Sequence, residues 1–412
     1  MSKERLGIGF VGSGFVSQFH IQSLVSVRDA DAAGVASPTR AHAEAAAALA
    51  KQLGVGSPKV FRSVAEMAAD PAVDALWICS PNDTRVAVVE EIVDAVERGA
   101  NLVGVACEKP LARTVAEAKR MLELVQRARL LHGYLENQVF APALARGKEI
   151  IWRRAAAIAG RPYLARAAEE HSGPHMPWFW LGSRQGGGVL NDMLCHSYEA
   201  ARFLLTAPGE LRDALTVTDV NAQIASLKWT RKEYAEILRE QTGGAVDYAG
   251  APAEDFARAT VRLRTPEGFP ALVEATTSWS FVGPGLRLRI ELLGPEYSMQ
   301  VDTLNSELSV FLSRRVTGPG GEDLVEKQNA EQGLMPVVPD EAASYGYAAE
   351  NRHMVRAFLE GRQPDETWED GLAVTTVLMA CYLSAERGQV VRFPALELNT
   401  FVPAVAQGTW RP

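Results

Sequence analysis

Residues 6–18, LGIGFVGSGFVSQ, decide the fold of this chain. The apolar run from Leu6 to Val11, broken only by glycines, predicts a short strand buried on both faces, as in a parallel sheet. Gly12, Gly14 and Ser17 follow, and a helical pattern runs from Phe15 through Val25. This is the strand, glycine turn and helix order of a dinucleotide-binding unit. Gly12 permits the tight turn, Gly14 lets the backbone approach a pyrophosphate, and the helix N-terminus opened by Phe15 and Val16 faces its charge. Ser17 stands where a third glycine is usual and is small enough for helix–strand packing. A glycine pattern this short also occurs at ordinary strand–helix turns. Its place ahead of repeated strand–helix units gives it weight.

A chain of 412 residues exceeds the usual single-domain size, which predicts two domains around two cores. A net charge of −8, with no Lys/Arg cluster, leaves no electrostatic footprint for nucleic acid or an anionic membrane. Cys79, Cys107, Cys195 and Cys381 lie far apart, without the spacing of a zinc site or a disulfide framework, and read as buried thiols of a reducing compartment. The apolar stretch after Lys3, Glu4 and Arg5 is short and glycine-broken, so no signal peptide is read. No uninterrupted apolar span is long enough for a bilayer. A soluble, cytoplasmic protein is expected.

Residues 32–37 (AAGVAS) read as the second strand and residues 40–53 as an alanine-rich helix. An acidic residue ending that strand would bind the ribose hydroxyls of NAD and repel the extra phosphate of NADP. Here stand Ser37, Pro38, Thr39 and Arg40, and Arg40 is either a 2′-phosphate partner or a solvated first-turn residue. NAD is the expected cofactor, with NADP open. Residues 75–79 (ALWIC) form another buried strand, and Ser80-Pro81-Asn82 lies beyond its carboxyl end, where ligands collect in open α/β sheets. Residues 101–107 deliver Glu108-Lys109-Pro110 to the same edge, where a lysine between a strand end and a proline is pinned in position. Residues 130–135 read as the last strand of this sheet, with Glu136-Asn137-Gln138 as its exit.

Taken together, Gly9-x-x-Gly12-x-Gly14, Ser80-Pro81-Asn82, Glu108-Lys109-Pro110, the glycine pair Gly187-Gly188 followed by Asp192 and His196, and a closing segment from Glu350 through Trp368 to Pro394 resemble the Gfo/Idh/MocA family of NAD(P)-dependent sugar and cyclitol oxidoreductases. The resemblance covers essentially the whole chain. It implies an α/β fold: an N-terminal Rossmann domain with a doubly wound parallel sheet (residues 1–137) and a C-terminal α+β substrate and oligomerisation domain with a large open, mostly antiparallel sheet (residues 138–412). Beyond Gly160 the pattern does turn β-rich, at residues 161–169, 257–265, 271–280, 286–293 and 307–312. Two departures stand out. Arg85 occupies the place of a common family histidine, and residues 206–255, with Trp229 and a charged helical stretch at 231–239, look like an insertion at the substrate mouth or an interface.

Oxidising a carbinol requires the hydroxyl proton to leave as the hydride does, so a base of near-neutral pKa must touch that hydroxyl. Asp192 and His196, four apart, share one helical face. By spacing alone such a pair is more often a satisfied structural pair, and it could also be half of a metal site; no third ligand is placed, and no metal is expected. The resemblance implies Lys109 as the polarising or proton-relay lysine, Asp192 as substrate hydroxyl ligand and His196 as acid/base. It also implies cofactor contacts at Gly12, Gly14, Phe15, Val16, Ser37, Arg40, Ser80, Pro81, Asn82, Glu108, Lys109 and Asn137.

The stretch from Glu170 to Trp180, EHSGPHMPWFW, is too rich in proline and aromatics for helix or regular strand. Trp178 and Trp180 offer faces to a sugar ring and His175 a hydrogen bond to its hydroxyls, unless the rings plug the domain junction. Tyr345 and Tyr347 are weaker candidates for the same mouth. The expected function is a homo-oligomeric (dimeric or tetrameric) NAD(P)-dependent dehydrogenase that oxidises a secondary hydroxyl of a sugar, a glycoside at ring position 3, or a cyclitol. The alternatives are a redox-neutral NAD-dependent glycosidase and a non-catalytic nucleotide- and sugar-binding regulator.

Overall fold

The computed structural model describes residues 4–305, 308–312, 333–338 and 340–412. The chain divides into two compact units, one of Met1–Pro142 with Ala342–Thr375, the other of Ala143–Glu341 with Thr376–Pro412. No helix among the described residues is long and apolar enough to cross a membrane.

In the first unit six strands, β1 (Leu6–Val11), β2 (Ala30–Ala36), β3 (Gly56–Phe61), β4 (Ala75–Ile78), β5 (Gly104–Glu108) and β6 (Leu131–Leu135), pair in parallel in the order β3-β2-β1-β4-β5-β6. Every residue of β1 is buried, as a strand covered on both faces demands. The connectivity reverses between β1 and β4, and at that switch point the loops at the carboxyl ends part to form a ligand crevice. The core joins Ile8, Phe10, Val35 and Trp77 to Met354, Val355 and Phe358 of the helix Tyr347–Leu359.

The second unit holds a seven-stranded sheet built from β7 (Leu164–Glu170), β8 (Thr216–Ala225), β9 (Phe256–Arg264), β10 (Pro270–Ser278), β11 (Arg287–Gly294), β12 (Tyr297–Asp302) and, after a separate hairpin of β13 (Leu308–Leu312) and β14 (Gly333–Val337), β15 (Val391–Arg392). Their order is β12-β11-β7-β10-β9-β8-β15, antiparallel except for the parallel pair β7/β10. Burial along β9 alternates strictly, so one face is covered and the other bears Arg258, Arg262 and Arg264. The helix Val189–Leu205 is buried at every residue but Phe203.

The structure corrects two sequence expectations and bears out a third over the residues it describes. Residues 206–255 are not wholly an insertion, since they contain β8, a ten-residue strand of the sheet; its Thr, Asp, Asn and Gln side chains blur the apolar alternation. Residues 170–180 are not devoid of regular structure: Glu170 closes β7 and Pro177–Trp180 forms a 3-10 turn begun by proline. Of the strand expected at 307–312, Glu307 lies outside the described residues and Leu308–Leu312 is β13.

Candidate active site

At the end of β1, Gly12 adopts φ +103°, a conformation open to glycine, and a Cβ there would lie 3.0 Å from the Cys79 carbonyl. Gly14 precedes the helix Phe15–Ser23, no side chain caps it, and the first turn holds no acidic residue. A Cβ at Gly14 would meet nothing within 4 Å, so the approach to this helix N-terminus is open. An uncapped helix start with a positive end, flanked by glycines, fits a dinucleotide pyrophosphate. Phe15 is exposed, Val16 half-buried, and Ser17, in the third-glycine position, fully buried. Ser13 Oγ donates to Ser37 Oγ at 2.9 Å, whereas Arg40 pairs with Glu44 at 2.8 Å on the surface.

The loops after β4 and β5 are tied together by Arg85. Its buried guanidinium donates to the Ser80 carbonyl at 3.1 Å and to the carbonyls of Glu108 and Pro110. Thr84 Oγ1 donates to the Pro81 carbonyl at 2.7 Å and lies 2.8 Å from the Ser80 hydroxyl, which closes the Ser80-Pro81-Asn82 turn. Glu108 is also held from the other side. Its Oε1 bonds His20 Nε2 at 2.7 Å, and its Oε2 accepts the Lys109 amide at 3.1 Å. His20 Nδ1 faces the Asn351 side-chain amide, 2.9 Å from its Nδ2 and 3.2 Å from its Oδ1. Trp77 Nε1 donates to Asn351 Oδ1 at 2.8 Å. Lys109 itself is half-buried on this braced loop. Asn137 is fixed by donating to the Tyr345 carbonyl at 2.7 Å.

Burial pushes the Glu108 carboxyl up, but the His20 hydrogen bond and the charges of His20, Lys109 and Arg85 outweigh it and hold the group below the usual carboxylate range. Glu350, 4.0 Å from His20, takes the opposite course. Burial, then repulsion by Glu108 and Glu136, drives its carboxyl well above that range, so it holds its proton. The thiols of Cys79, Cys107 and Cys381 are all pushed up by burial and stay un-ionised.

In the second unit Asp192 and His196 sit one turn apart on the helix Val189–Leu205, both buried. Trp279 Nε1 donates to Asp192 Oδ2 at 3.3 Å and orients that carboxylate. Trp279 belongs to an aromatic cluster with Trp180 and Trp229, whose Nε1 donates to the Trp279 carbonyl at 3.0 Å. The Asp255 carboxylate anchors the cluster by accepting the amides of Leu227, Lys228 and Trp229 at 2.8–3.0 Å. Trp180 is only 2% exposed and its ring packs on Trp229, Tyr248 and Trp279. The expectation that Trp180 offers its face to a sugar is therefore corrected: that face is already covered. Trp178 is half-buried and stacks on Phe179 with centroids 3.8 Å apart, and His175 is exposed.

Residues 6–134 match the model of an "Oxidoreductase family, NAD-binding Rossmann fold", and residues 155–300 match the "GFO/IDH/MocA C-terminal domain". The chain belongs to the GFO/IDH/MocA family. Its similarity to members of that family runs the full length. It is 26% identical to levoglucosan dehydrogenase of Pseudarthrobacter phenanthrenivorans, over 95% of this chain and 99% of that one. It is 24% identical to the scyllo-inositol 2-dehydrogenase (NAD(+)) of Bacillus subtilis, over 93% and 94%. Among solved structures, GenD2 from gentamicin A biosynthesis in complex with NAD superimposes with a TM-score of 0.75, at 24% identity, over 96% of this chain and 98% of that one. As a GFO/IDH/MocA member the chain is an NAD-binding oxidoreductase.

Several residues that brace these groups within each unit were not legible in the sequence. His20 was signalled only by being a polar ring among Phe19, Ile21 and Leu24; Arg85 was legible as a departure but not as a brace. Trp279, Glu254 and Tyr382 carried no spacing signal, because their partners lie far away in the chain.

Proposed function

We propose that this protein is an NAD-dependent dehydrogenase that oxidises a secondary hydroxyl of a sugar, glycoside or cyclitol to a ketone. The observation that carries the reading is the bracing of Lys109, by Glu108, His20 and Arg85, at the ligand edge of an NAD-binding sheet. Gly12, Gly14, Phe15 and Val16 form the pyrophosphate cradle; Ser80, Pro81, Asn82, Glu108 and Asn137 line the nicotinamide side, and Ser37 the ribose side. Bound NAD supplies the hydride acceptor. The Lys109 ammonium lowers the pKa of the substrate hydroxyl and stabilises the alkoxide that develops. A neutral ring nitrogen of His196 takes the hydroxyl proton, and Asp192, oriented by Trp279, accepts a hydrogen bond from a neighbouring hydroxyl. His175 and Trp178 contribute to the sugar side.

Engagement of Arg40 by Glu44 supports NAD over NADP. The full-length likeness to levoglucosan and scyllo-inositol dehydrogenases supports a sugar or cyclitol substrate; for a glycoside we propose oxidation at ring position 3. We read the chain as cytoplasmic and homo-oligomeric, assembled on the open face of the second sheet.

Anaerobic absorbance at the reduced-nicotinamide band, with NAD or NADP and a panel of glucosides, anhydrosugars and inositols, tests this. The expected result is NAD reduction with one substrate class, lost in Lys109→Ala and His196→Ala. Release of an aglycone without net reduction, or binding with no turnover, would overturn it.

A further inference from the structure

The helix that bears Asp192 and His196 starts without an N-cap side chain of its own, since Gly188 holds that position. The first N–H groups of a helix have no intrahelical partners and, when buried, must find others. Two residues distant in sequence provide them. The Gly188 and Leu190 amides both donate to Glu254 Oε1 at 3.0 Å, and the Val189 amide to the Glu254 carbonyl at 3.0 Å. The Asn191 amide donates to the Tyr382 hydroxyl at 3.3 Å, and that hydroxyl donates to Glu254 Oε1 at 2.6 Å. The glycine pair makes room: a Cβ on Gly187 would lie 1.9 Å from the Tyr382 hydroxyl, and one on Gly188 would lie 2.7 Å from Glu254 Oε2.

Oε1 takes all three side-chain bonds, whereas Oε2 has no hydrogen-bond partner among the described residues. A proton on Oε2 therefore leaves the cap intact and removes only its charge. We infer that Glu254 is a positioning residue whose charge, placed at the start of this helix, raises the proton affinity of His196; the inference rests on the role proposed above for His196.

Among the described residues, Tyr382 from the helix Trp368–Arg387 and Tyr248 from the segment before β9 act on Glu254, and Asp255 follows it in the chain. His196 shares its helix with Asp192, Cys195 and the buried Glu199, which pairs with Arg202 and Arg212 at 2.7 Å. Burial holds both tyrosines protonated, and the Asp255 carboxylate is engaged by three amides. Burial pushes the Glu254 carboxyl up to about 7, against the pull of Tyr382 and the amides, so the cap changes charge near neutral pH. His196 lies eight residues beyond Gly188, ~12 Å along the axis. Across that distance, at an effective dielectric of ~20, a unit charge moves an imidazole titration by about one pH unit.

The test is an NMR titration of the full chain, with the His196 signal assigned by its loss in His196→Gln. In Glu254→Gln, whose amide oxygen accepts the same donors, the His196 midpoint is expected to fall by about half a unit to one unit, since Glu254 is only partly ionised where an imidazole titrates, and the acid limb of kcat/KM to move with it. If that variant does not fold, Tyr382→Phe serves: loss of the phenol pushes the Glu254 titration higher, which leaves the cap neutral at pH 7 and lowers the His196 midpoint likewise. An unchanged His196 titration in a folded variant overturns the inference. Absence of turnover in the parent protein would overturn the dehydrogenase reading alone, because the titration needs no substrate.

Discussion

His20 Nε2 and Glu108 Oε1 stand 2.7 Å apart, both side chains buried, one on the first helix and the other beside Lys109 at the end of β5. The pair joins two elements 88 residues apart and fixes the loop that presents the lysine.

Replacing His20 by Ala leaves the Glu108 carboxylate buried without its partner, which costs about 3–5 kcal/mol. Glu108 has a depressed pKa, so its contribution is present above the ordinary carboxylate range and is lost as the pH falls. Urea unfolding should accordingly show a large penalty at pH 7 that shrinks toward pH 4. An equal penalty at both would contradict the assignment.

Arg85→Ala strands the carbonyls of Ser80, Glu108 and Pro110, at about 1–3 kcal/mol for each that water cannot reach. Because those carbonyls hold the two loops at the nucleotide edge, NAD affinity should fall about tenfold, roughly 1.4 kcal/mol, by calorimetric titration. Arg85→Lys, which keeps a charge but not the fork, should fall between.

Glu350 is a neutral buried acid. Its folded pKa is raised, so its contribution is fully present below the ordinary carboxylate range and declines by about 1.4 kcal/mol per pH unit as the pH climbs toward the folded value. Glu350→Gln removes that slope. Denaturation from pH 5 to 8 should show the variant gaining on the parent as pH rises; parallel curves would refute a protonated Glu350.

Trp279→Phe keeps an aromatic ring in the cluster but deletes the donor to Asp192. We expect kcat/KM to fall about tenfold with substrates whose hydroxyl meets Asp192, at a temperature where the variant is fully folded. Stability should fall by about 1–3 kcal/mol from the smaller ring. Unaltered kinetics would show that Trp279 only packs.

Arg40→Ala should leave the KM for NAD within about twofold, since exposed ion pairs of this kind contribute little. A selective loss of activity with NADP would instead mark Arg40 as a phosphate partner.

What the sequence determined by itself is what short-range physics governs. The apolar run Leu6 to Val11, the glycines after it and the strand–helix alternation to Leu135 specify a parallel nucleotide-binding sheet, because side-chain period and turn conformation are local properties. The same locality placed Ser80-Pro81-Asn82 and Glu108-Lys109-Pro110 at strand ends, and Asp192 and His196 on one helical face. Strand β8 was missed because half its positions are polar and its partner β9 begins thirty residues after it ends. Only tertiary structure decided who braces whom. Trp77 meets Asn351 across 274 residues, and Glu254 meets Tyr382 across 128. A buried amide or carboxylate takes whichever partner the topology brings within 3 Å, and no periodicity in the chain records that choice.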